Sequence, residues 1–209
     1  MKDDKIFITS ANRTAVATIG KALKNISADK LGSCVIDNLL KKSNVNPDEI
    51  DEIIMGQVLT GGAGQNPARQ AAIKSGIPKE KPAFIVNQVC GSGIRSIVSG
   101  YQSIKSKDSK IVIAGGQESM SLAPHAIHLR EGKKLGDKEL IDTMIRDGLW
   151  DAFNGYHMGV TAENVAEKFQ ITREEQDRFA FKSQEKALSA QKQGKFKEEI
   201  INYIIKSKK

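Results

Sequence analysis

The residue of this sequence best suited to chemistry is a cysteine flanked by small residues. It lies where a predicted strand ends and a predicted helix begins. Residues 87–93 read Asn-Gln-Val-Cys-Gly-Ser-Gly, and the cysteine is Cys90. Apolar residues favour a strand over residues 83–89 and, spaced three and four apart, a helix over residues 93–106. The positive end of that helix favours a thiolate, and its first N–H groups can hold an oxyanion. The pattern predicts a thiolate nucleophile, against the alternative of an inert cysteine in a tight turn.

The other cysteine and the histidines are weaker candidates. Cys34 lies in the middle of a predicted helix, which favours a small core residue without a catalytic role. The three histidines are His125, His128 and His157, and a lone histidine in a loop is more often a polar surface residue than a ligand. Two cysteines with three scattered histidines make a poor metal set, so we predict no metal site.

The elements that must position Cys90 alternate between strand and helix. Predicted strands cover residues 5–9, 52–55, 83–89 and 110–114, and predicted helices cover 27–42, 66–76 and 93–106. Two Asn-Pro pairs, at Asn46 and Asn66, mark helix starts. The expected apolar stripes are Leu31, Val35 and Leu39 in the first helix, and Ile94, Ile97, Val98, Tyr101 and Ile104 in the helix after Cys90. This alternation predicts an α/β layered fold with a largely parallel sheet.

The pattern changes after residue 120. Residues 121–156 show little periodicity and predict a long surface excursion of the kind that is usually functional. Thr172 begins a capping-box sequence that predicts a long helix ending by Gly194. The chain stops at Lys209, just after the strand-like run 200–205, which resembles a cut rather than a finished domain.

Composition excludes several classes of protein. The 209 residues are 39% hydrophobic with a mean hydropathy of −0.37, which is enough for a core but leaves no apolar run of membrane-span length. At ~150 residues per domain, the length allows one large domain or a domain with an extension. The formal charge of +7 comes from lysines interleaved with acids, without a basic and aromatic stripe, so we predict no nucleic-acid partner. No secretory signal is visible, and a cytoplasmic protein without a membrane association is expected.

Five stretches of the sequence resemble the motifs of the thiolase family, in the same order and at matching spacing. Residues 87–96 are similar to the acylation-site motif, and the others are residues 64–71, 115–121, 123–130 and 157–164. The resemblance covers essentially the whole chain and corresponds to the N-terminal half of a thiolase. Within the family the sequence is most similar to the short-chain acetoacetyl-CoA type, the acetyl-CoA acetyltransferases. A local departure is Ala15, where the family usually has proline.

The resemblance implies a fold in two parts. Residues 1–120 would form the layered α/β/α N-terminal core domain, and residues 121–209 a loop domain over the active site that is incomplete at its C-terminal end. The C-terminal core domain of the family would be absent. His125 and His128 lie in the stretch that resembles the tetramerisation loop, which implies a structural or interface role and a homotetramer, a dimer of dimers. Glu118 is interpreted as a structural acid rather than a general base.

The resemblance also implies an activity. Cys90 would carry an acetyl group while two acetyl-CoA molecules condense to acetoacetyl-CoA and CoA, or while the reverse cleavage runs. His157 and Met158 match positions that line the pantetheine channel. The coenzyme A thioesters are substrates, and no cofactor is expected. The family's second cysteine and activating histidine lie in Cys-x-Gly-Gly-Gly and Gly-His-Pro segments that these 209 residues do not contain, and Cys34 matches no catalytic position.

Two alternatives stay open. A longer-chain 3-ketoacyl-CoA thiolase is one, although His157, Met158 and the loop over residues 123–145 argue against it. A non-catalytic thiolase half is the other, and the early stop at Lys209 supports it.

Overall fold

The computed structural model describes residues 5–132 and 134–205, so that predictions for residues 1–4 and 206–209 lie outside the described residues. The chain forms two compact units. One contains the described residues up to Gly148 and those from Ile201 onward, and the other is Leu149–Ile200. The domain boundary at residue 120 stays a prediction.

A parallel sheet of three strands lies at the centre of the first unit. Its strands are β1 (Glu52–Gly56), β2 (Ala83–Val86) and β3 (Val112–Gly116), in the order β2–β1–β3. The helices are α1 (Ala28–Ser43), α2 (Pro67–Lys74) and α3 (Ser92–Lys105). Parallel strands need crossover connections, which α2 and α3 supply. The predicted α/β class is confirmed.

The main core lies on the face of the sheet that carries Ile53 and Met55, against α1 and α2. Its buried members are Ile36, Leu40, Ile50, Ile53, Met55, Ala68, Ala71, Ala72, Ile77 and Ile113. The buried stripe of α1 is Ala28, Gly32, Ile36 and Leu40. The predicted stripe of Leu31, Val35 and Leu39 is half-buried, with Leu39 packed against this core, so the most buried face of α1 lies one position further along than predicted, where Ala28 and Gly32 lack the bulk that would hold the helix away.

The third helix reverses the pattern that the sequence predicts. Its buried residues are Ser92, Ser96 and Gly100, whereas Ile94 is 70% exposed and Tyr101 51% exposed. Small side chains let α3 approach the sheet closely, since a methyl group on Gly100 would lie 3.1 Å from a Val112 side-chain carbon. Four residues of the predicted stripe, Ile94, Ile97, Val98 and Tyr101, are exposed in the described structure, and Ile104 is half-buried.

Asparagine caps form at both predicted helix starts. The Asn46 side chain accepts from the Asp48 N–H in a capping box with Glu49, over a single 3₁₀ turn. The Asn66 side chain accepts from the Arg69 N–H at 3.1 Å and begins α2. The two predictions from the Asn-Pro pairs are therefore confirmed.

Two predicted strands are wrong. Residues 5–9 and 200–205 have strand-like composition but belong to no β-ladder, apart from an isolated contact in which the Ile201 N–H donates to the Arg13 carbonyl at 2.9 Å. A strand forms only where a neighbouring strand pairs with its backbone N–H and C=O groups. Amino-acid composition does not show whether such a neighbour exists. Strand β2 also ends at Val86, three residues earlier than predicted.

The remaining elements are a 3₁₀ turn (Met120–Leu122), a π-helical segment (Ile145–Leu149), short strands and two α-helices. In the first unit β4 (His125–Ala126) pairs with β5 (Ile141–Asp142). The second unit contains β6 (Trp150–Asp151), β7 (Tyr156–His157), α4 (Met158–Lys168) and α5 (Arg173–Lys192), with the predicted Thr172 capping box in place. None of the described helices has both the length and the apolar character of a membrane span.

Candidate active site

Cys90 is exposed in the tight connection between β2 and α3. The Asn87 side chain accepts from the Val89 N–H at 2.9 Å, and the Gly91 N–H donates to the Gln88 carbonyl at 3.0 Å. Val89 has φ +48°, in the left-handed region that a β-branched residue rarely adopts. The connection is therefore a sharp, hydrogen-bonded turn, which we call the elbow (residues 87–91), with Cys90 at its tip.

The start of α3 lies directly behind Cys90. The helix begins at Ser92, and no side chain caps its N-terminus at Gly91. Such a terminus carries a partial positive charge from its free N–H groups. Cys90 is thus placed next to the positive end of the α3 helix dipole.

The elbow itself uses the first two N–H groups after Cys90. The Gly91 N–H donates to the Gln88 carbonyl, and the Ser92 N–H donates to the Val89 carbonyl at 3.0 Å. These two groups shape the turn, so an oxyanion at the start of α3 would need N–H groups further along the helix, and the sequence-based expectation of an oxyanion site stays a prediction. These bonds could not be predicted from the sequence, because they depend on the left-handed backbone at Val89.

The carboxyl ends of β1 and β3 lie against the first residues of α3, directly after the elbow. A methyl group on Gly56 would lie 2.5 Å from the Ser92 carbonyl carbon. One on Gly116 would lie 3.6 Å from the Gly93 Cα. The Ser96 Oγ lies 2.7 Å from the Gly93 carbonyl oxygen and 2.6 Å from that of Gly115. Glycines at the two strand ends thus let the helix start against the sheet.

Glu118 ties together the segments that follow β1 and β3. Its carboxylate accepts from the N–H groups of Val58 at 2.8 Å and Leu59 at 3.2 Å. Burial raises the pKa of Glu118, against the opposing effect of these two hydrogen bonds. Both carboxylate oxygens are occupied by backbone, which is the geometry of a structural acid.

Two buried glutamines next to Glu118 were not singled out from the sequence. The Gln117 side chain donates to the Gln57 side-chain oxygen at 2.9 Å, and Gln57 donates to the Leu59 carbonyl at 3.0 Å. Both residues are buried. Glutamine is common where a strand passes into a loop, so its presence alone does not predict a buried pair. The one signal in the sequence was that each glutamine directly follows the end of a strand.

Cys34 is far less suited to nucleophilic chemistry. It lies within α1, half-buried, and burial raises the pKa of its thiol, with the nearby Asp37 acting in the same direction. A raised thiol pKa leaves less of the reactive thiolate at neutral pH. The geometry agrees with a core cysteine.

His157 and Met158 lie in the second unit, at the start of α4. His157 is the N-cap residue, and its Nδ1 accepts from the Gly159 N–H at 3.0 Å. Met158 is the first residue of the helix and is 38% exposed. The capping role of His157 was missed, since histidine is not among the usual N-cap residues.

His125 and His128 are exposed in the first unit. His125 is in β4, and its Nε2 lies 3.9 Å from a carboxylate oxygen of Asp142 in β5. The His128 carbonyl accepts from the Lys138 ammonium. Across the described residues no three histidine, cysteine or carboxylate side chains form a group that could hold a metal ion.

The fold and the site together define an α/β protein with an exposed cysteine at the N-terminus of a helix that follows a parallel strand. A family model described as the thiolase N-terminal domain matches residues 6–209. The chain therefore belongs to the thiolase family.

Individual relatives agree with this membership. An acetyl-CoA acetyltransferase of Rhizobium meliloti is 55% identical over 209 residues, which is 100% of this chain and 53% of the relative. One from Paracoccus denitrificans is 54% identical over 98% of this chain and 52% of its own. The crystal structure of a thiolase from Ascaris suum in complex with coenzyme A has a TM-score of 0.90 and 39% identity, over 93% of this chain and 51% of that one. The chain thus spans about half the length of these relatives.

Proposed function

We propose that this chain carries the acyl-accepting half of a short-chain thiolase, in which Cys90 takes an acetyl group from acetyl-CoA. The observation that carries the proposal is the position of Cys90, exposed at the tip of the elbow and just ahead of the uncapped start of α3. The similarity to acetyl-CoA acetyltransferases supports the choice of acyl group.

In the first half-reaction the Cys90 thiolate attacks the thioester carbonyl of acetyl-CoA. A bond forms between Sγ and the carbonyl carbon, the bond from that carbon to the coenzyme A sulfur breaks, and the coenzyme A thiolate leaves and takes up a proton. Exchange of one thioester for another is nearly balanced in free energy and keeps the acetyl group activated. The partial positive charge at the start of α3 favours the attacking thiolate.

In the second half-reaction a second acetyl-CoA loses a proton from its α-carbon. The resulting enolate attacks the acetyl carbonyl, forms the carbon–carbon bond of acetoacetyl-CoA, and releases the Cys90 thiolate. The resemblance to thiolases assigns this proton transfer and the activation of Cys90 to a second cysteine and a histidine in segments that these 209 residues do not contain. Multiple turnover, in synthesis and in cleavage, is therefore proposed for a protein that has both halves.

Substrate length and assembly complete the proposal. We assign His157 and Met158 to the channel that holds the pantetheine arm of coenzyme A. There the side chain of Met158, the first residue of α4, would narrow the space for the acyl group. This favours acetyl-sized substrates over a longer-chain 3-ketoacyl-CoA. We assign no cofactor beyond the coenzyme A thioesters that react, a homotetramer as the assembly, and the cytoplasm as the location.

Acetyl transfer to Cys90 is tested by mass spectrometry. The 209-residue chain is incubated with acetyl-CoA and digested, and the peptides with Cys90 and Cys34 are searched for an added acetyl group. Acetylation is expected on Cys90, is expected to vanish in Cys90→Ser, and is expected to persist in Cys34→Ala. Acetyl on Cys34 with none on Cys90 would contradict the proposal.

A further inference from the structure

The backbone of Val89 is strained. Its φ of +48° places a β-branched side chain in the left-handed region, where such residues are genuine outliers. Cys90 follows it directly, so the direction in which the Cys90 side chain points depends on this conformation. A strained residue persists only when its surroundings hold it in place, and such residues cluster at functional sites.

The hydroxyl of Ser92 holds that conformation from both sides of Val89. Ser92 Oγ accepts from the N–H of Gln88 at 2.9 Å and donates to the carbonyl of Val89 at 2.6 Å. The first bond fixes the peptide group two residues before Cys90, and the second fixes the one directly before it. A single side chain therefore connects the start of α3 to both arms of the turn.

Ser92 has little freedom to move. It is 4% exposed, and its carbonyl carbon would lie only 2.5 Å from a methyl group on Gly56 at the end of β1. The bonds of its hydroxyl are thus made from a fixed point between the sheet and the elbow. A side chain fixed in this way can oppose the tendency of Val89 to return to an ordinary extended or helical conformation.

We propose that Ser92 is a positioning residue for Cys90, because its hydroxyl holds Val89 in the left-handed conformation that keeps the thiol at the helix N-terminus. This inference rests on the proposed function, because the role of Cys90 as acyl acceptor comes from there. The positioning itself concerns only the elbow and can be measured without turnover.

The experiment measures alkylation of Cys90 by iodoacetamide in four proteins: the unchanged chain, Ser92→Ala, Val89→Gly, and the double variant. Glycine adopts positive φ without strain, so an elbow with glycine at position 89 does not need the Ser92 hydroxyl. With valine at position 89, we expect Ser92→Ala to slow alkylation about fivefold, the upper end of what an exposed helix terminus contributes to an anion. With glycine at position 89, we expect the same change to have almost no effect.

Two comparisons separate positioning from general loosening. Cys34 is alkylated in the same sample and reports opening of the fold around α1. Ser75→Ala removes a buried hydroxyl at the end of α2, outside both the elbow and α3, and is expected to leave the Cys90 rate unchanged. General loosening caused by Ser92→Ala changes the Cys90 alkylation rate equally with valine and with glycine at position 89. A difference between those two effects therefore still reports positioning, even where Ser92→Ala weakens the fold.

The inference is overturned if Ser92→Ala slows alkylation equally with valine and with glycine at position 89, or slows it in neither. The proposed function has a separate test, because it fails when acetyl-CoA leaves wild-type Cys90 unmodified whatever the alkylation rates are. The two failures are therefore distinguishable.

Discussion

Gly56, the last residue of β1, lies directly against the main chain of Ser92, the first residue of α3. A methyl group on Gly56 would lie 2.5 Å from the Ser92 carbonyl carbon and 2.6 Å from its oxygen. Both atoms belong to the backbone, so they cannot rotate away as a side chain would. The position of the elbow is therefore set by contact between the central strand and the helix that follows Cys90.

The first prediction is that Gly56→Ala lowers the free energy of unfolding by about 1–3 kcal/mol, the usual cost of overpacking a close-packed site. The strand and helix must separate to admit the methyl group. Urea unfolding followed by circular dichroism measures the change.

Gly93→Ala is the matched control, because a methyl group at Gly93 would meet nothing within 4 Å. It is expected to be neutral or stabilising by roughly 0.5–1 kcal/mol, since alanine is favoured over glycine in a helix. Equal destabilisation by both substitutions would contradict the contact with Ser92 as the cause.

The second prediction concerns Glu118 and pH. Burial raises its pKa above the ordinary value of 4.5, so the folded chain holds this proton more tightly than the unfolded chain. Its contribution to stability is therefore fully present below pH 4.5 and is lost as the pH rises through the raised pKa. Glu118→Gln does not titrate, so its free energy of unfolding should fall less than that of the wild type over the same rise in pH.

Urea unfolding of both proteins at a series of pH values from below 4.5 to neutral checks this expectation. Glu131→Gln removes one negative charge at an exposed position and is the control. Parallel pH dependence of the wild type and Glu118→Gln would contradict the assigned burial.

Local signals in the sequence predicted the helix starts and the place of Cys90. Asn46, Asn66 and Thr172 each form the cap that the sequence predicts, because a cap depends on residues within one turn. Cys90 at the junction of strand and helix followed from periodicity on either side. These features need no information from distant parts of the chain.

Features that depend on distant contacts were predicted poorly. Most of the apolar stripe of α3 is exposed and the small residues of the helix are buried, because the helix lies against the glycines at the ends of β1 and β3. The predicted strands at 5–9 and 200–205 have no ladder partner in the described structure. The elbow depends on the φ of Val89, which no propensity for valine would predict.

The third prediction tests Met158 as part of the acyl path in a protein that has both thiolase halves. Met158→Ala should relax the preference for acetoacetyl-CoA over 3-ketohexanoyl-CoA in cleavage by roughly tenfold to two-hundredfold, the range that a small change in an apolar pocket produces. Steady-state cleavage of both substrates gives the ratio. Val160→Ala on the same helix is the control, and an unchanged ratio in Met158→Ala would count against the channel assignment.

The fourth prediction concerns association through residues 123–145. Leu135 is 89% exposed, and Leu129 and Leu140 are also exposed. Clustered exposed apolar side chains commonly mark an interface. We expect a homotetramer for the complete protein and a smaller assembly after Leu135→Glu. Light scattering that finds a stable monomer at micromolar concentration, with this loop unchanged, would contradict the assignment.

The last prediction is that residues 1–209 by themselves acquire at most one acetyl group per chain and do not turn over. Cys90 keeps its place ahead of α3, so acylation by acetyl-CoA can proceed. Proton removal at the α-carbon needs a further base, and the other cysteine, Cys34, is half-buried in α1 with a raised thiol pKa. Release of coenzyme A should therefore stop after about one equivalent, as expected for an acyl-enzyme that accumulates.

Adding the C-terminal half of a full-length relative distinguishes a missing base from a damaged elbow. Coexpression should restore continuous release of coenzyme A and formation of acetoacetyl-CoA, and should also cover the exposed apolar residues of α3, among them Ile94 and Tyr101. Each 100 Å² of apolar surface removed from water contributes about 2.5 kcal/mol, so the complemented protein should aggregate less than the isolated chain. Multiple-turnover formation of acetoacetyl-CoA by residues 1–209 alone would show that the second catalytic group lies within them and has been misassigned.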